Sequence, residues 1–563
     1  MRKMFGLALA AMALLVCSAQ AQSTSRLEYE LTPILENGAL NALQVDLRFR
    51  GDADGETDLR LPDEWGGQPE LWRSIENVTA VSGATIADGA TANQRILTHR
   101  PNARIHVRYR VIQDFEGEPN ARQSNAYRPI VQPGYFHLIG NAFMVTPGSS
   151  EESTPVSFRV RGLPRHWLYA SDLEHPNLRL GNVWSSIVVG GDFRIHEDRA
   201  NRVRVALRGE WSFTDEAFTA SVVEIIAGQR RFFGDGPSPY LVTVIPLVQP
   251  QEGWLSIGGT GLTDAFAFFA TGNAEAVQIN RTLAHEGLHT WIPNGIGNLP
   301  EENQAMDYWL SEGFTDFFTG RILVRERLWT AQQFADDLNR MLRDYAQSPD
   351  RTVTNARVQE AFWSSRTVQQ LPYQRGRFLA TIWDQRLRAQ GHDLDDVVLA
   401  MRARVQAGDE RYAVQIFNDV IREYGIDPSE EIAGYIDRGA PILLPEDVLA
   451  PCGRVETRQV RAFHRGFNIE ATQANNNIIT GVDPTHPAYA AGLRDGMVLI
   501  RRDGGEIGNA DLEIGYVVRD GETERTLRYM PQGNQTFTEQ RLVLSENLID
   551  NALGQCLAVI GGQ

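Results

Sequence analysis

The sequence lacks several features that define other classes of protein. Beyond the first 21 residues, no apolar run approaches the roughly 18 residues that a membrane-spanning helix needs. No internal repeat and no low-complexity tract is present, and the hydrophobic (42%) and charged (22%) fractions are ordinary for a globular protein. The composition therefore excludes fibrous and disordered proteins, and a length of 563 residues predicts about three to four domains.

Positive charge is scarce as well. The formal net charge is -17, and Lys3 is the only lysine, since every later basic residue other than histidine is arginine. We attribute the missing lysine to codon bias in a GC-rich genome. An acidic chain is repelled by phosphate backbones and by anionic lipid, so neither nucleic acid nor an anionic membrane is expected as a partner.

The amino terminus is typical of an export signal. Two basic residues precede the apolar stretch 5–16, and the Ala-Gln-Ala sequence at 19–21 supplies the small-x-small cleavage pattern. We expect cleavage after Ala21 (signal peptide 1–21) and a mature protein without an integral membrane segment, in the periplasm or secreted. Cys17 leaves a lipoprotein as an alternative, although the valine before it is a poor residue at that position.

Cysteine is nearly absent. Of three cysteines, only Cys452 and Cys556 remain after cleavage. In an oxidising compartment two remaining cysteines are expected to pair, which would tie together the two ends of a C-terminal unit. Two buried free thiols are the alternative.

Alternating patterns dominate the first part of the mature chain. Residues 104–111, 156–161 and 203–207 alternate apolar and polar side chains with period two, and Gly, Pro, Asn and Asp clusters separate such runs. Helical patterns are scarce here. The sequence predicts an all-β N-terminal domain over residues 22–212.

The pattern changes near residue 215. Residues 218–232 have helical spacing, residues 240–248 are typical of a buried strand, and most segments from 273 to about 438 are typical of helices. We predict an α/β plus helical catalytic domain over residues 213–445.

A proline-containing connector follows, and the remaining residues 452–563 form a separate α+β unit in this interpretation. Residues 466–469 and 497–500 are predicted as short strands, and residues 488–493 as a short helix between them.

The motif with the clearest chemistry is His285-Glu286-Gly287-Leu288-His289. Histidines at i and i+4 lie on one face of a helix, close enough to bind one ion, and neutral imidazole is a good ligand for Zn²⁺. Glu286 can reach a water at the metal without binding the metal. The context predicts a helix that begins with a cap at Asn273 and ends at Pro293.

A catalytic zinc needs a third protein ligand and an open position. Glu312, 23 residues after His289, is the candidate, in the segment Trp-Leu-Ser-Glu-Gly-Phe-Thr-Asp. Asp316 lies one helical turn further on, where a carboxylate can orient a ligand histidine through its free ring nitrogen. The alternative is a chance motif in which the histidines are ordinary, partly buried residues.

This constellation predicts hydrolysis. Zn²⁺ lowers the pKa of a bound water towards about 7, and Glu286 takes the proton as the water attacks a peptide carbonyl. The oxyanion needs the zinc and one further donor. Tyr373, just before a predicted helix, could be that donor, although a packing role is the alternative for one of 15 tyrosines.

Three stretches resemble the glycyl aminopeptidase family of gluzincins: residues 285–291 (HEGLHTW), 309–318 (WLSEGFTDFF) and 373–376 (YQRG). The resemblance implies an N-terminal β domain, a thermolysin-like catalytic domain and a C-terminal PDZ domain. It also implies one zinc ion on His285, His289 and Glu312, catalysis by Glu286 and oxyanion stabilisation by Tyr373.

The C-terminal unit resembles PDZ domains in two places. Gly466-Phe467-Asn468-Ile469 is similar to the carboxylate-binding loop and its strand, and residues 486–496 are similar to the stretch around a PDZ helix. The resemblance implies that the loop amides hold a peptide C-terminus. A PDZ fold used for packing or for substrate gating is the alternative.

One departure from the family concerns substrate binding. Family members carry Gly-Leu-Glu-His before the zinc helix, and its Glu is expected to hold the substrate's amine. The comparable stretch here is 258–264, with Thr263 at the position of the Glu and Asp264 as a possible substitute. Both aminopeptidase and endopeptidase specificity therefore stay open.

The sequence thus predicts an exported zinc peptidase acting on peptides or unfolded proteins of the cell envelope. The alternative, from another class, is a non-catalytic peptide-binding or chaperone-like PDZ protein. The presence of Glu286 favours the enzyme.

Overall fold

The computed structural model describes residues 26–123, 125–175, 177–251, 253–546 and 548–562. The predicted signal peptide, residues 1–21, and Cys17 lie outside the described residues. Within the described ranges, no helix combines the length and the apolar character needed to cross a membrane.

The N-terminal part of the chain is rich in β-strands, as predicted. Its strands β1–β13 are Leu27–Glu36, Ala39–Arg50, Glu56–Arg60, Ile75–Ser82, Ala84–Asp88, Gln94–His99, Arg104–Val111, Ile130–Gln132, Tyr135–Ile139, Thr146–Pro147, Val156–Val160, Leu168–Ser171 and Ile187–Gly191. Two short helices occur among them, α1 (Gly140–Phe143) and α2 (Leu180–Trp184).

These strands form sheets with the orders β11-β1-β2-β7-β4, β10-β3-β6-β5 and β12-β13-β9-β8. In β7 every second residue is buried, including Ile105, Val107 and Tyr109. Successive side chains of a strand point to opposite faces, so a sheet with one face on the core buries alternate residues. The period-two pattern therefore predicted these strands correctly.

The next sheet begins earlier than the sequence suggested. Its strands β14–β18 are Arg194–Asp198, Val203–Leu207, Tyr240–Leu247, Ile257–Gly261 and Ala265–Thr271, in the order β14-β15-β16-β18-β17. Strand β15 pairs in parallel with β16, so the boundary predicted at 212/213 falls after two strands that belong to the catalytic sheet. Alternation identifies a strand but not the sheet that the strand joins.

Helices follow and build a large common core. Helices α3–α12 are Asp215–Phe233, Ala276–Leu288, Tyr308–Arg325, Ala331–Gln347, Asn355–Ala361, Arg366–Gln369, Leu371–Arg388, Leu394–Gln406, Ala413–Glu423 and Ser429–Glu431. Their apolar faces pack in one cluster with the sheet, through residues such as Phe218, Leu283, Phe314 and Trp383. The protein therefore has a β-rich N-terminal region followed by a largely helical region, as the sequence predicted.

The two ends of the C-terminal part pack on this core, and its middle lies outside it. Its strands β19–β23 are Gly453–Phe463, Val498–Arg502, Ile514–Asp520, Thr523–Tyr529 and Gln532–Leu544, and its helices α13–α15 are Ile469–Ala474, Pro487–Ala490 and Asp550–Gly561. Strands β19 and β23 pair with each other, and Val455, Leu542 and Ile560 join the core of the helical region.

The residues between β19 and β23, 464–531, form a smaller unit that we call the insert. It has a core of its own, which includes Phe467, Leu493, Met497 and Ile514. The unit predicted over 452–563 is therefore divided: its two ends pack on the helical region, and only its middle is separate. Pairing between strands so far apart leaves no signal in a local sequence pattern.

The strand predicted at 466–469 is wrong. Asn468 caps a helix instead, because its side chain accepts a hydrogen bond from the amide of Ala471 at 2.9 Å, and α13 begins at Ile469. Asparagine is a good helix cap, and this preference overrides the short apolar pattern. The helix predicted at 488–493 is α14, and the strand predicted at 497–500 is β20.

Cys452 and Cys556 form a disulfide with an S–S distance of 2.07 Å. Both cysteines are buried in the core of the helical region. The bond joins the residue before β19 to helix α15, so it fixes the two segments that flank the insert.

Candidate metal centre

Helix α4 carries the two histidines and is shorter than predicted. It begins at Ala276, where Glu275 and Gln278 form a capping box, so Asn273 is not the cap. The helix ends at Leu288, and His289 lies at its C-cap, before turns that lead to Pro293. The helical spacing of the two histidines is nonetheless kept, because the C-cap residue still has helical backbone angles.

Glu312 on α5 meets both histidines. Its Oε2 lies 3.2 Å from Nε2 of His285 and 3.4 Å from Nε2 of His289. In the described part of the chain, these three residues are the group whose ligand atoms lie within 4.8 Å of one another. The structure thus brings together the three metal ligands that were predicted from the sequence.

The other ring nitrogens of both histidines are engaged. Nδ1 of His285 lies 2.9 Å from Oδ1 of Asp316, and Nδ1 of His289 lies 2.8 Å from the carbonyl oxygen of Ile292. Both partners are acceptors, so each Nδ1 donates its hydrogen and each Nε2 faces Glu312, where loss of its proton would free a lone pair for a metal ion. Two neutral imidazoles and one carboxylate are a donor set that suits Zn²⁺.

Asp316 is itself held in place. The guanidinium of Arg281 donates to Asp316 at 3.1 Å and to Asp337 at 2.8 Å, and Arg377 donates to Asp337 at 2.6 Å. This buried chain of charges fixes the carboxylate that orients His285. Sequence reasoning missed Arg281, although its position four residues before His285 places it on the same helix face.

The charges of the site favour a cation. Burial lowers the pKa of His285, but hydrogen bonds to Asp316 and Glu312 outweigh it and raise that pKa to about 10. Burial raises the pKa of Glu312, but His289 and His285 outweigh it and hold the pKa below its ordinary value. The carboxylate is therefore ionised and stabilises positive charge where the three ligands converge.

Two glycines bring Tyr373 to this cluster. Helix α9 crosses α5 so closely that a β-carbon on Gly376 would lie 1.7 Å from the carbonyl oxygen of Trp309 and 2.8 Å from the Cα of Gly313. Only glycines permit this approach of two helix backbones. As a result the ring of Tyr373 stacks on His285, with ring centroids 5.7 Å apart.

The phenol of Tyr373 is protonated in this environment. Burial raises its pKa, and the negative charges of Glu312, Asp316 and Glu286 raise it further, well above the ordinary value. A neutral phenol keeps its hydrogen for donation. Tyr373 thus stands beside the ligands in the state that an oxyanion donor requires.

Glu286 is half-buried and lines a cavity of about 380 Å³. Other walls of this cavity come from His285 and Arg281 on α4, from Arg340 and Met341 on α6, and from Tyr373. The predicted base, one ligand and the predicted oxyanion donor therefore face one space.

Strand β17 forms the edge of the catalytic sheet next to α4. A β-carbon on Gly261, its last residue, would lie 3.9 Å from the carbonyl oxygen of Glu286. Tyr127, from the N-terminal region, donates to the carbonyl oxygen of Gly259 at 3.0 Å. Burial raises the pKa of Tyr127, and the nearby negative charge of Glu286 raises it further. No local pattern in the sequence points to Tyr127, because it is remote in the chain from the zinc motif.

The two residues predicted to hold a substrate amine have other contacts. The amide of Thr263 donates to the hydroxyl of Ser185 at 2.9 Å. Burial raises the pKa of Asp264, while His175 and Arg230 lower it, so its charged neighbours are residues outside the zinc ligands. Neither Thr263 nor Asp264 lines the cavity that Glu286 and Tyr373 share.

The four residues predicted to bind a peptide C-terminus make contacts within the insert. Gly466 has a positive φ of 79°, and a β-carbon there would lie 2.3 Å from Nδ1 of His486. Phe467 is part of the core of the insert, Asn468 caps α13 and Ile469 packs partly buried against that core. In this structure, all four residues therefore have packing or helix-capping contacts within the insert.

Fold and site together define a zinc metallopeptidase. The segment that carries the site, residues 278–376, matches the family model of the M61 glycyl aminopeptidases. The family recognised from the motifs is thereby confirmed for the catalytic segment, and the site has the ligands for one zinc ion. Peptides are the substrates that a peptidase of this family implies.

One solved structure shares the overall fold of this chain. An aminopeptidase N family protein from Idiomarina loihiensis is 15% identical, with a TM-score of 0.64 over 92% of this chain and 98% of that one. This likeness shows a shared fold. An M1 zinc metallopeptidase from Deinococcus radiodurans is 16% identical, with a TM-score of 0.43 over 76% of this chain and 97% of that one. Among curated proteins none matches.

Proposed function

We propose that this protein is an exported aminopeptidase-type zinc metallopeptidase, with Glu286 as the base and Tyr373 as the oxyanion donor. The observation that carries the proposal is the convergence of His285, His289 and Glu312, with ligand atoms within 4.8 Å, beside a cavity that Glu286 and Tyr373 also line. The presence of a glutamate in the base position disfavours a non-catalytic peptide-binding or chaperone-like protein.

His285, His289 and Glu312 would hold a zinc ion, which would supply a Lewis acid for the attacking water. Glu286 accepts the proton from the attacking water and returns it to the amine that leaves. Tyr373 donates its phenolic hydrogen to the oxygen on which negative charge develops. Asp316 keeps the imidazole of His285 in the tautomer that leaves Nε2 available.

Strand β17 offers a surface for an extended substrate. It is the edge of its sheet in the described structure, and its sequence Ile-Gly-Gly-Thr-Gly presents little side chain. A peptide can pair with such an edge through main-chain hydrogen bonds, which bind any sequence. This supports peptides and unfolded proteins as substrates.

A second candidate function is an endopeptidase. Strand β17 has no carboxylate, the amide of Thr263 donates to Ser185, and the positive charge of Arg230 lowers the pKa of Asp264. These observations support an enzyme without an anchor for the ammonium group of a substrate. An enzyme without such an anchor cleaves away from chain ends.

Digestion of a peptide library in free and N-acetylated form separates the two candidates. Mass spectrometry of the products locates each cut. Stepwise loss of N-terminal residues from free peptides, with acetylated peptides left intact, supports the aminopeptidase. Internal cuts in both forms would replace it with the endopeptidase, and no zinc-dependent cut in either form would contradict both.

Export is also part of the proposal. The basic, apolar and small-residue pattern at the amino terminus supports it, and a disulfide between Cys452 and Cys556 persists in oxidising compartments. We place the mature protein in the periplasm or outside the cell.

A further inference from the structure

The chain connects the insert, residues 464–531, to the rest of the molecule only through the two strands at its base. The insert leaves the helical region through the paired strands β19 and β23, which run antiparallel from Gly453 to Leu544. Its own core is separate from that of the helical region. Its position over the rest of the molecule is therefore set by side-chain contacts at its rim.

One set of rim contacts joins the insert to α6. The guanidinium of Arg343 donates to Oε1 of Glu506 at 2.6 Å, and Nε of Arg340 lies 3.6 Å from the same oxygen. Gln347 donates to the carbonyl oxygen of Gly508 at 2.9 Å. Helix α6 also lines the catalytic cavity through Arg340 and Met341. The same helix is thus a wall of the cavity and a docking site of the insert.

A second set joins the insert to the sheet side of the site. Nδ2 of Asn477 donates to Oε1 of Gln251 at 2.6 Å. A β-carbon on Gly253 would lie 3.6 Å from the Cβ of Arg501. Gln251 and Gly253 lie just ahead of β17, the edge strand next to Glu286. The insert therefore bridges the two elements that flank the zinc helix.

A groove lies between α6 and the insert, next to the catalytic cavity. It measures about 500 Å³, with Glu506, Asp511 and Leu512 on the insert side. Arg340 lines both this groove and the catalytic cavity. Arg340 thus separates the catalytic cavity from a space that the insert covers.

The docking contacts are polar. They consist of charged pairs and amide hydrogen bonds, and the side chain of Glu506 is 37% exposed. Polar contacts of this kind between units of one chain are weak and permit relative motion. The docked insert is thus able to lift without breaking an apolar core.

We infer that the insert is a length filter: docked on α6 and beside β17, it admits short peptides to the zinc site and hinders unfolded chains. The inference rests on the proposed function and names its preferred substrates. Only molecules with a lifted insert accept a long chain, so a change in docking shifts the activity on long substrates alone.

The test compares the wild type with Glu506→Arg, which places a third cation against Arg340 and Arg343. The probes are tri-alanine and casein, an unfolded protein. We expect kcat/KM for casein to rise about fivefold, the effect of losing a weak charged contact, with kcat/KM for tri-alanine unchanged. Hydrogen exchange of residues 506–512 should rise in the same variant.

Glu524→Arg is the matched control, because Glu524 pairs with Arg519 in the β21–β22 hairpin of the same insert. It should leave both activities unchanged. If Glu506→Arg misfolds, Glu506→Gln should give a smaller rise in the same direction.

If hydrogen exchange at residues 506–512 increases but the ratio of casein to tri-alanine activity stays unchanged, the proposed length filter is wrong. A selective loss of casein cleavage would also overturn it and would show that the insert binds the chain. If the wild type cleaves neither tri-alanine nor casein, the proposed function itself is rejected.

Discussion

At the scale of single residues, the zinc ligands were predictable because their chemistry leaves a local signature. Histidines at i and i+4 and a Glu-x-x-x-Asp pair fall on helix faces whatever the rest of the fold does. Thr263 and Asp264 were placed by resemblance to a loop, and a loop has no periodicity to fix where its side chains go. The hydrogen bond of Thr263 to Ser185 and the effect of the Arg230 charge on the pKa of Asp264 depend on the packing of distant segments.

Asp316 provides a prediction at this scale. Asp316→Asn keeps the size of the side chain but removes the charge that orients His285, so zinc affinity should fall by about 10- to 100-fold. Competition with a chromophoric chelator measures this affinity. Asp384→Asn is the control, since Asp384 is equally buried and pairs with Arg321 away from the zinc ligands. Equal zinc affinity of the wild type and Asp316→Asn would contradict the assigned role.

At the scale of elements, the types of the long helices and strands were predictable and their ends were not. The helix predicted from Asn273 to Pro293 is Ala276–Leu288, because a capping box at Glu275 starts it and turns replace its last part. The close crossing of α5 and α9 could not be predicted, since it depends on two glycines that are 63 positions apart in sequence and meet only in the folded chain.

That crossing provides the second prediction. Gly376→Ala places a methyl group against the backbone of α5 and should lower the free energy of unfolding by about 1–3 kcal/mol. It should also lower kcat, because α9 carries Tyr373. Chemical denaturation and steady-state kinetics measure the two effects.

The matched control is Gly554→Ala in helix α15, where a β-carbon meets nothing within 4 Å. It should raise the free energy of unfolding by about 0.5–1 kcal/mol, the usual gain from alanine over glycine in a helix. A destabilised Gly554→Ala, or an unchanged Gly376→Ala, would contradict the packing described for α5 and α9.

At the scale of the whole molecule, the order of the parts was predictable and their boundaries were not. Strands β14 and β15 belong to the catalytic sheet, and β19, β23 and α15 return to the helical core around the insert. Both arrangements depend on pairing and packing between segments that are distant in sequence, and no local sequence pattern predicts such contacts.

Export and the disulfide give the prediction at this scale. The protein purified from the periplasm or the medium should begin at Gln22, and its intact mass should be two hydrogens below that of the reduced chain. Thiol labelling should modify Cys452 and Cys556 only after reduction. An uncleaved amino terminus would contradict export, and free thiols in the unfolded, unreduced protein would contradict the bond.

The central claim is that a zinc site with Glu286 as base hydrolyses peptide bonds. Measuring zinc content and peptide hydrolysis of Glu286→Gln tests it most directly. The account predicts one zinc per chain, as in the wild type, with turnover lower by about 10²- to 10⁴-fold, the usual contribution of a general base. Wild-type turnover in a zinc-loaded Glu286→Gln variant would contradict it.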